Sequence, residues 1–154
     1  MNRPCGIIVL LLVAVIAVMT WFFVIRGSGA KGEDGRTVIM LSPSDRAFFL
    51  AEMRSWLEAV QAISAALADN DVQAAAREAA RAGRVDMSLI PGSLLRALPG
   101  EMKQLGLGTH AAFRDMAHTL QSGASPQQGM KMLSSILLNC TGCHAGYRVD
   151  PAGR

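Results

Sequence analysis

Nowhere in these 154 residues does a basic stripe interleave with aromatic side chains, and only two Trp, one Tyr and five Phe are present. That absence argues against a nucleic-acid partner. No nucleophile elbow, phosphate-binding glycine loop or carboxylate pair stands in a recognisable setting, so catalysis is not expected. No stretch alternates like a β-strand, and no internal repeat or extended low-complexity tract is evident. Charge is balanced as well. Arg3 and Arg26 are the only basic residues among the first 26, and beyond them 13 Lys/Arg meet 12 Asp/Glu. The sequence pI near 9.1 therefore says little about partners.

What is present is concentrated near the C-terminal end, in Cys140-Thr141-Gly142-Cys143-His144. A C-x-x-C-H run is the attachment signature of a c-type haem. Two thiols must add to the two vinyl groups of a porphyrin, and an imidazole must stand over the ring with a nitrogen on the iron. On a helix, i and i+3 share a face and i+4 lies beside i. Cys140 and Cys143 can thus grip the haem edge while His144 reaches the metal. Two other chemistries use a C-x-x-C pair. A thioredoxin-like dithiol sits at a helix start near a βαβ pattern, whereas this motif follows the long helical pattern Met130 to Leu138. A structural zinc site needs a second ligand pair, but His110 and His118 are eight apart with no cysteine nearby.

Gly6 to Ile25 is a run of twenty apolar or near-apolar residues, with Thr20 its only hydroxyl. About 20 such residues cross a bilayer core as a helix. No small-residue cleavage site follows, and Trp21 to Phe23 resembles an interfacial aromatic belt, which favours an uncleaved anchor over a signal peptide. The flanking charges nearly balance and do not orient it. Covalent haem does, because such chains mature outside the cytoplasm. The body is expected in the periplasm, held to the inner membrane. Cys5 is left as an unpaired thiol at the membrane edge. Residues 1–26 are therefore assigned to the anchor, 27–41 to a flexible tether of linker composition, and 42–154 to a single domain.

That domain is expected to be all-α, an antiparallel four-helix bundle with the haem on its C-terminal helix. Ser42, Pro43 and Asp45 open a first helix whose stripe runs Phe49, Met53, Trp56, Val60, Ile63 and Leu67, until Asn70 and Asp71 stop it. A short alanine-faced helix follows over Val72 to Ala82, with Gly83 as its cap. Residues 84–100 hold Pro91, Gly92, Pro99 and Gly100, and are expected to be an irregular connection with room for a turn of helix. A third helix includes Thr109 to Gln121, its start left open by Gly106 and Gly108, each costing about 1 kcal/mol. Ser125, Pro126 and Gln128 form a capping box for the last helix, whose face continues through Cys140 to Tyr147.

This layout, with the ending Cys140-Thr141-Gly142-Cys143-His144-Ala145-Gly146-Tyr147-Arg148, resembles the cytochrome c′ family and its low-spin relatives. The resemblance covers residues 42–149 in layout and about the last dozen of these in motif. It implies His144 as the proximal ligand and a basic Arg148 one turn beyond, near the imidazole or a haem propionate. It also implies a residue of the first helix over the iron, at Met53. Methionine there gives a six-coordinate, low-spin electron carrier. A bulky apolar group in its place would leave a five-coordinate haem open to NO or CO. The family often carries arginine one turn earlier, where this chain has Phe49. By periodicity alone Met53 reads first as a core residue, and the resemblance brings ligation level with packing. His110 is the other distal candidate, against its reading as a network histidine. Expected partners are membrane or periplasmic redox proteins, and homodimerisation is left open.

Overall fold

The computed structural model describes residues 3–21, 27 and 29–152, with backbone alone for 3–5. It is mostly helical with one small sheet. The elements in chain order are α1 (Arg3–Thr20), β1 (Gly29–Lys31), β2 (Thr37–Leu41), α2 (Pro43–Ala68), α3 (Val72–Ala82), α4 (Gly92–Ala97), α5 (Gly100–Gln121), α6 (Pro126–Gly146) and β3 (Tyr147–Pro151). In α1 the large apolar side chains from Ile7 to Met19 are exposed. Among the described residues, no helix is long and apolar enough to cross a membrane. Residues 22–25, which complete the apolar run of the sequence, and the side chain of Cys5 lie outside the described residues.

Local chemistry accounts for the helix boundaries. The Ser42 hydroxyl accepts the Asp45 N–H and caps α2, with proline in the first turn. The Asp71 carboxylate does the same for α3 through the Ala74 N–H. At α6 both halves of the capping box form: Gln128 N–H to Ser125 Oγ at 3.2 Å, and Ser125 N–H to Gln128 Oε1 at 2.8 Å. Helix α5 runs straight through Gly106 and Gly108, because burial of Met102, Thr109 and His110 along its length offsets their low propensity.

Helix α2 packs against α3 and α6, and α5 packs against the same two. Their shared core contains Ile63 and Leu67 of α2, Phe113, Met116 and Leu120 of α5, Leu133 and Ile136 of α6, and the alanines of α3. Small side chains let α3 and α5 approach closely. Gly83 belongs to this contact and not to a left-handed cap: its φ is −76°, and an added Cβ would lie 2.8 Å from the Arg114 backbone nitrogen.

The expectation of an irregular, strandless tether over 27–41 is not met. Residues 29–31 and 37–41 form an antiparallel hairpin, and β2 also pairs in parallel with β3, Thr37 opposite Tyr147 through Leu41 opposite Pro151. Val38, Ile39 and Leu41 are buried. Ile39 and Leu41 form a second core with Leu94, Leu98 and Met102, against which Phe48, Phe49, Cys143 and Tyr147 pack. A short strand whose partner lies more than a hundred residues away leaves only a weak local signature. Parallel pairing here spans the whole of α2 to α6 as its crossover. The C-terminal helix is correspondingly shorter than its apolar face suggests, since Tyr147 already has extended backbone angles.

Gly27 is also docked. Its φ is +62°, and a Cβ there would sit 2.7 Å from Pro99 N and 2.9 Å from Ala97 O. Replacing it with alanine therefore adds a backbone clash to a disfavoured conformation. Ile39→Ala is expected to cost about 2–5 kcal/mol of unfolding free energy in urea denaturation, the range for emptying a buried site. Were the segment a free tether, neither substitution would shift the midpoint.

Candidate functional site

Where the C-terminal end of α6 meets the first half of α2 and the first half of α5, the helices part around an apolar cavity of about 400 Å³. Ligand pockets for small molecules and cofactors fall at about 300–1,000 Å³. Helix α2 contributes Phe48, Phe49, Glu52, Met53 and Trp56 to the lining. The 85–98 connection supplies Val85, Met87, Ile90, Leu94, Leu95 and Leu98, and α5 supplies residues from Met102 to His110. From α6 come Asn139, Cys140, Cys143 and His144. Gly106 belongs to this wall, and nothing lies within 4 Å of where its Cβ would be, so the missing side chain keeps the space open.

The structure thus brings together five of the six residues singled out in the sequence: Cys140, Cys143, His144, Met53 and His110. Both thiols are free and half-buried. Burial pushes the Cys140 thiol above its ordinary pKa, and does the same to Cys143 with the neighbouring Cys140 adding to it. The motif sits at the C-terminal end of a helix, where the partial negative charge of the helix also disfavours a thiolate. Dithiol oxidoreductases need the opposite, a low-pKa thiolate at a helix N-terminus. His144 is exposed in the last turn of α6, and its carbonyl accepts a long bond from Arg36 Nη1 at 3.5 Å.

Arg148 is the exception. It does not line the cavity, because α6 ends at Gly146 and the residue belongs to an extended strand, not to the next helical turn. Its guanidinium pairs with Asp34 at 3.1 Å and Asp150 at 3.2 Å. Asp34 also pairs with Arg36 at 2.7 Å, and the Arg36 hydrogen bond holds its carboxyl below the usual carboxylate range. Tyr147 donates its hydroxyl to Glu101 at 3.0 Å, tying β3 to α5.

Sequence reasoning missed the rest of the lining. Leu94, Leu95 and Leu98 were legible only as apolar residues inside a Gly/Pro-rich connection. Trp56 was assigned to the core stripe alone, yet it borders the cavity, and its buried Nε1–H has no hydrogen-bond partner. A buried N–H without an acceptor costs about 1–3 kcal/mol, so it is a donor available to a group placed there. His110 is buried and also lines the cavity, whereas His118 is exposed at the far end of α5. Two neutral thiols, an adjacent imidazole, hydrocarbon walls and one orphaned donor suit a covalently attached porphyrin: thioether bonds at its edge, a nitrogen for its metal, and apolar faces against its ring.

In the haem-free chain, alkylation by iodoacetamide should be slow at neutral pH. The rate is expected to keep rising beyond the pH at which free cysteine levels off, because only the thiolate reacts and burial disfavours it. Fast labelling at pH 7 would mean activated, thioredoxin-type thiols. No family model, curated protein or solved structure matches this chain.

Proposed function

We propose that this protein is a membrane-tethered c-type cytochrome that carries single electrons in the periplasm. The observation that carries the reading is the convergence of Cys140, Cys143 and His144, the complete C-x-x-C-H set, on one apolar cavity. Cys140 and Cys143 would hold the haem edge through thioether bonds, and His144 would supply a ring nitrogen to its iron. Bound haem supplies an iron that alternates between ferric and ferrous states. The hydrocarbon walls from α2, α4 and α5 keep water from the ring, which disfavours the more highly charged ferric form. In this reading α2, α3, α5 and α6 form an antiparallel four-helix bundle of the cytochrome c′ type. Supporting it, each of these helices packs on two of the others.

The anchor consists of α1 and the rest of the apolar run to Ile25, uncleaved in the inner membrane. Confining the haem domain to two dimensions raises its effective concentration near membrane redox partners. A second reading is a five-coordinate haem that binds NO or CO. The apolar character of Phe48, Phe49, Ile90 and Leu94 around the cavity favours it.

When the chain is produced with a haem-attachment system, denatured protein is expected to keep its haem and to gain one haem in mass. Cys140→Ser with Cys143→Ser should lose it on denaturation. A colourless wild type at its bare mass would overturn the proposal. The full chain should stay with membranes through a high-salt wash. Leu10→Arg with Val13→Arg, each charge costing about 2.5–3.5 kcal/mol at a bilayer centre, should weaken that retention sharply.

A further inference from the structure

His110 has been prepared in a way that packing alone does not require. It is buried on α5, 7 % exposed, in a cavity wall made mostly of hydrocarbon. Its Nδ1 lies 3.0 Å from the Ala82 carbonyl oxygen. A carbonyl only accepts, so Nδ1 carries the proton, and in the neutral ring Nε2 presents a bare lone pair. Glu52 Oε1 stands 3.6 Å from Nε2, beyond hydrogen-bond reach. The ring plane is fixed too: Trp56 meets it edge-on, with centroids 4.9 Å apart and planes at 70°. The close approach of α3 and α5 at Gly83, which also lets Arg114 donate to the Gly83 carbonyl at 2.9 Å, is what brings the Ala82 carbonyl within reach.

One ring nitrogen held by a backbone carbonyl, with the other making no hydrogen bond and facing the Glu52 carboxylate 3.6 Å away, is an arrangement that sets a histidine's tautomer and orientation, as metal-binding histidines require. His144 lines the same cavity from α6. Met53 lines it as well, but it is a half-buried, unbranched thioether on three rotatable bonds, which adapts to gaps and is not held in one orientation. The geometry points to His110 Nε2 as the second axial ligand of the iron, making a bis-imidazole haem in which Met53 serves only as packing. The inference rests on the covalent haem proposed above. Two imidazoles keep iron low-spin in both oxidation states and close the distal face to diatomic gases, which favours electron transfer over gas binding for this site.

The test uses the haem-loaded full chain, observed by paramagnetic resonance and by near-infrared charge-transfer bands of the oxidised form. Wild type is expected to be low-spin with a bis-imidazole signature and unresponsive to added imidazole. Met53→Leu should leave that signature unchanged. His110→Ala should convert the haem to high-spin and let the reduced form take up carbon monoxide, and added imidazole should restore the low-spin spectrum. A wild type that is high-spin, or that shows a methionine-sulfur band abolished in Met53→Leu, overturns the inference. So does a His110→Ala protein that stays low-spin. The wild-type spectrum identifies the axial pair by itself, so the outcome stands even if the alanine variant fails to fold. Covalent haem found by mass with any other axial pair sinks this inference alone, whereas a haem-free wild type sinks the function on which it rests.

Discussion

The parallel pairing of Thr37–Leu41 with Tyr147–Pro151 is the constraint on which the rest of the structure depends. It ends α6 two residues after His144 and turns the following residues into an edge of the second core. It also sets the C-terminal end of α6 against the beginnings of α2 and α5, three of the four parts of the chain that line the cavity. Without that pairing, Ile39 and Leu41 would have no cover, and the wall formed by Leu94, Leu98 and Met102 would lose its backing. The ion-pair set of Asp34, Arg36, Arg148 and Asp150 lies along the same seam. It is largely exposed, so it contributes alignment more than energy.

The two cores divide the labour. The bundle core, built on Phe113, Ile63 and Leu133, is filled by apolar side chains and needs nothing else to be complete. The sheet-side core is continuous with the cavity, which Trp56 of the bundle side also borders with an N–H that has no acceptor. Protein interiors are otherwise close-packed. A void of this size, lined from four parts of the chain and bordered by two thiols, an exposed imidazole and a buried one, is the space the proposed haem would fill.

Much of this was legible in the sequence where the information is local. Ser42 with Asp45, and Ser125 with Gln128, announce helix starts through side chains that meet backbone groups three residues away. The C-x-x-C-H spacing carries its own chemistry within one and a half helical turns. What could not be read locally is what depends on distant partners. Tyr147, Arg148, Val149 and Asp150 alternate apolar and polar over too short a stretch to stand out as a strand, and Tyr147 and Arg148 were read as continuing the preceding helix because the strand they join lies far back in the chain. The same oversight misplaced Arg148: it was assigned to the turn after His144 on a helix that had already ended. Trp56 and Leu98 have helix-stripe and loop signatures respectively, and no periodicity marks them as neighbours across a cavity.

Parallel strands separated by more than a hundred residues also impose an order of events on the living chain. Thr37–Leu41 leaves the ribosome long before residue 151 exists, so the seam beneath the cavity can be sewn only after nearly the whole polypeptide has been synthesised. Until then the C-x-x-C-H end of α6 lacks its backing strand. Closure of the sheet is therefore the late step that fixes this segment against the rest of the cavity wall.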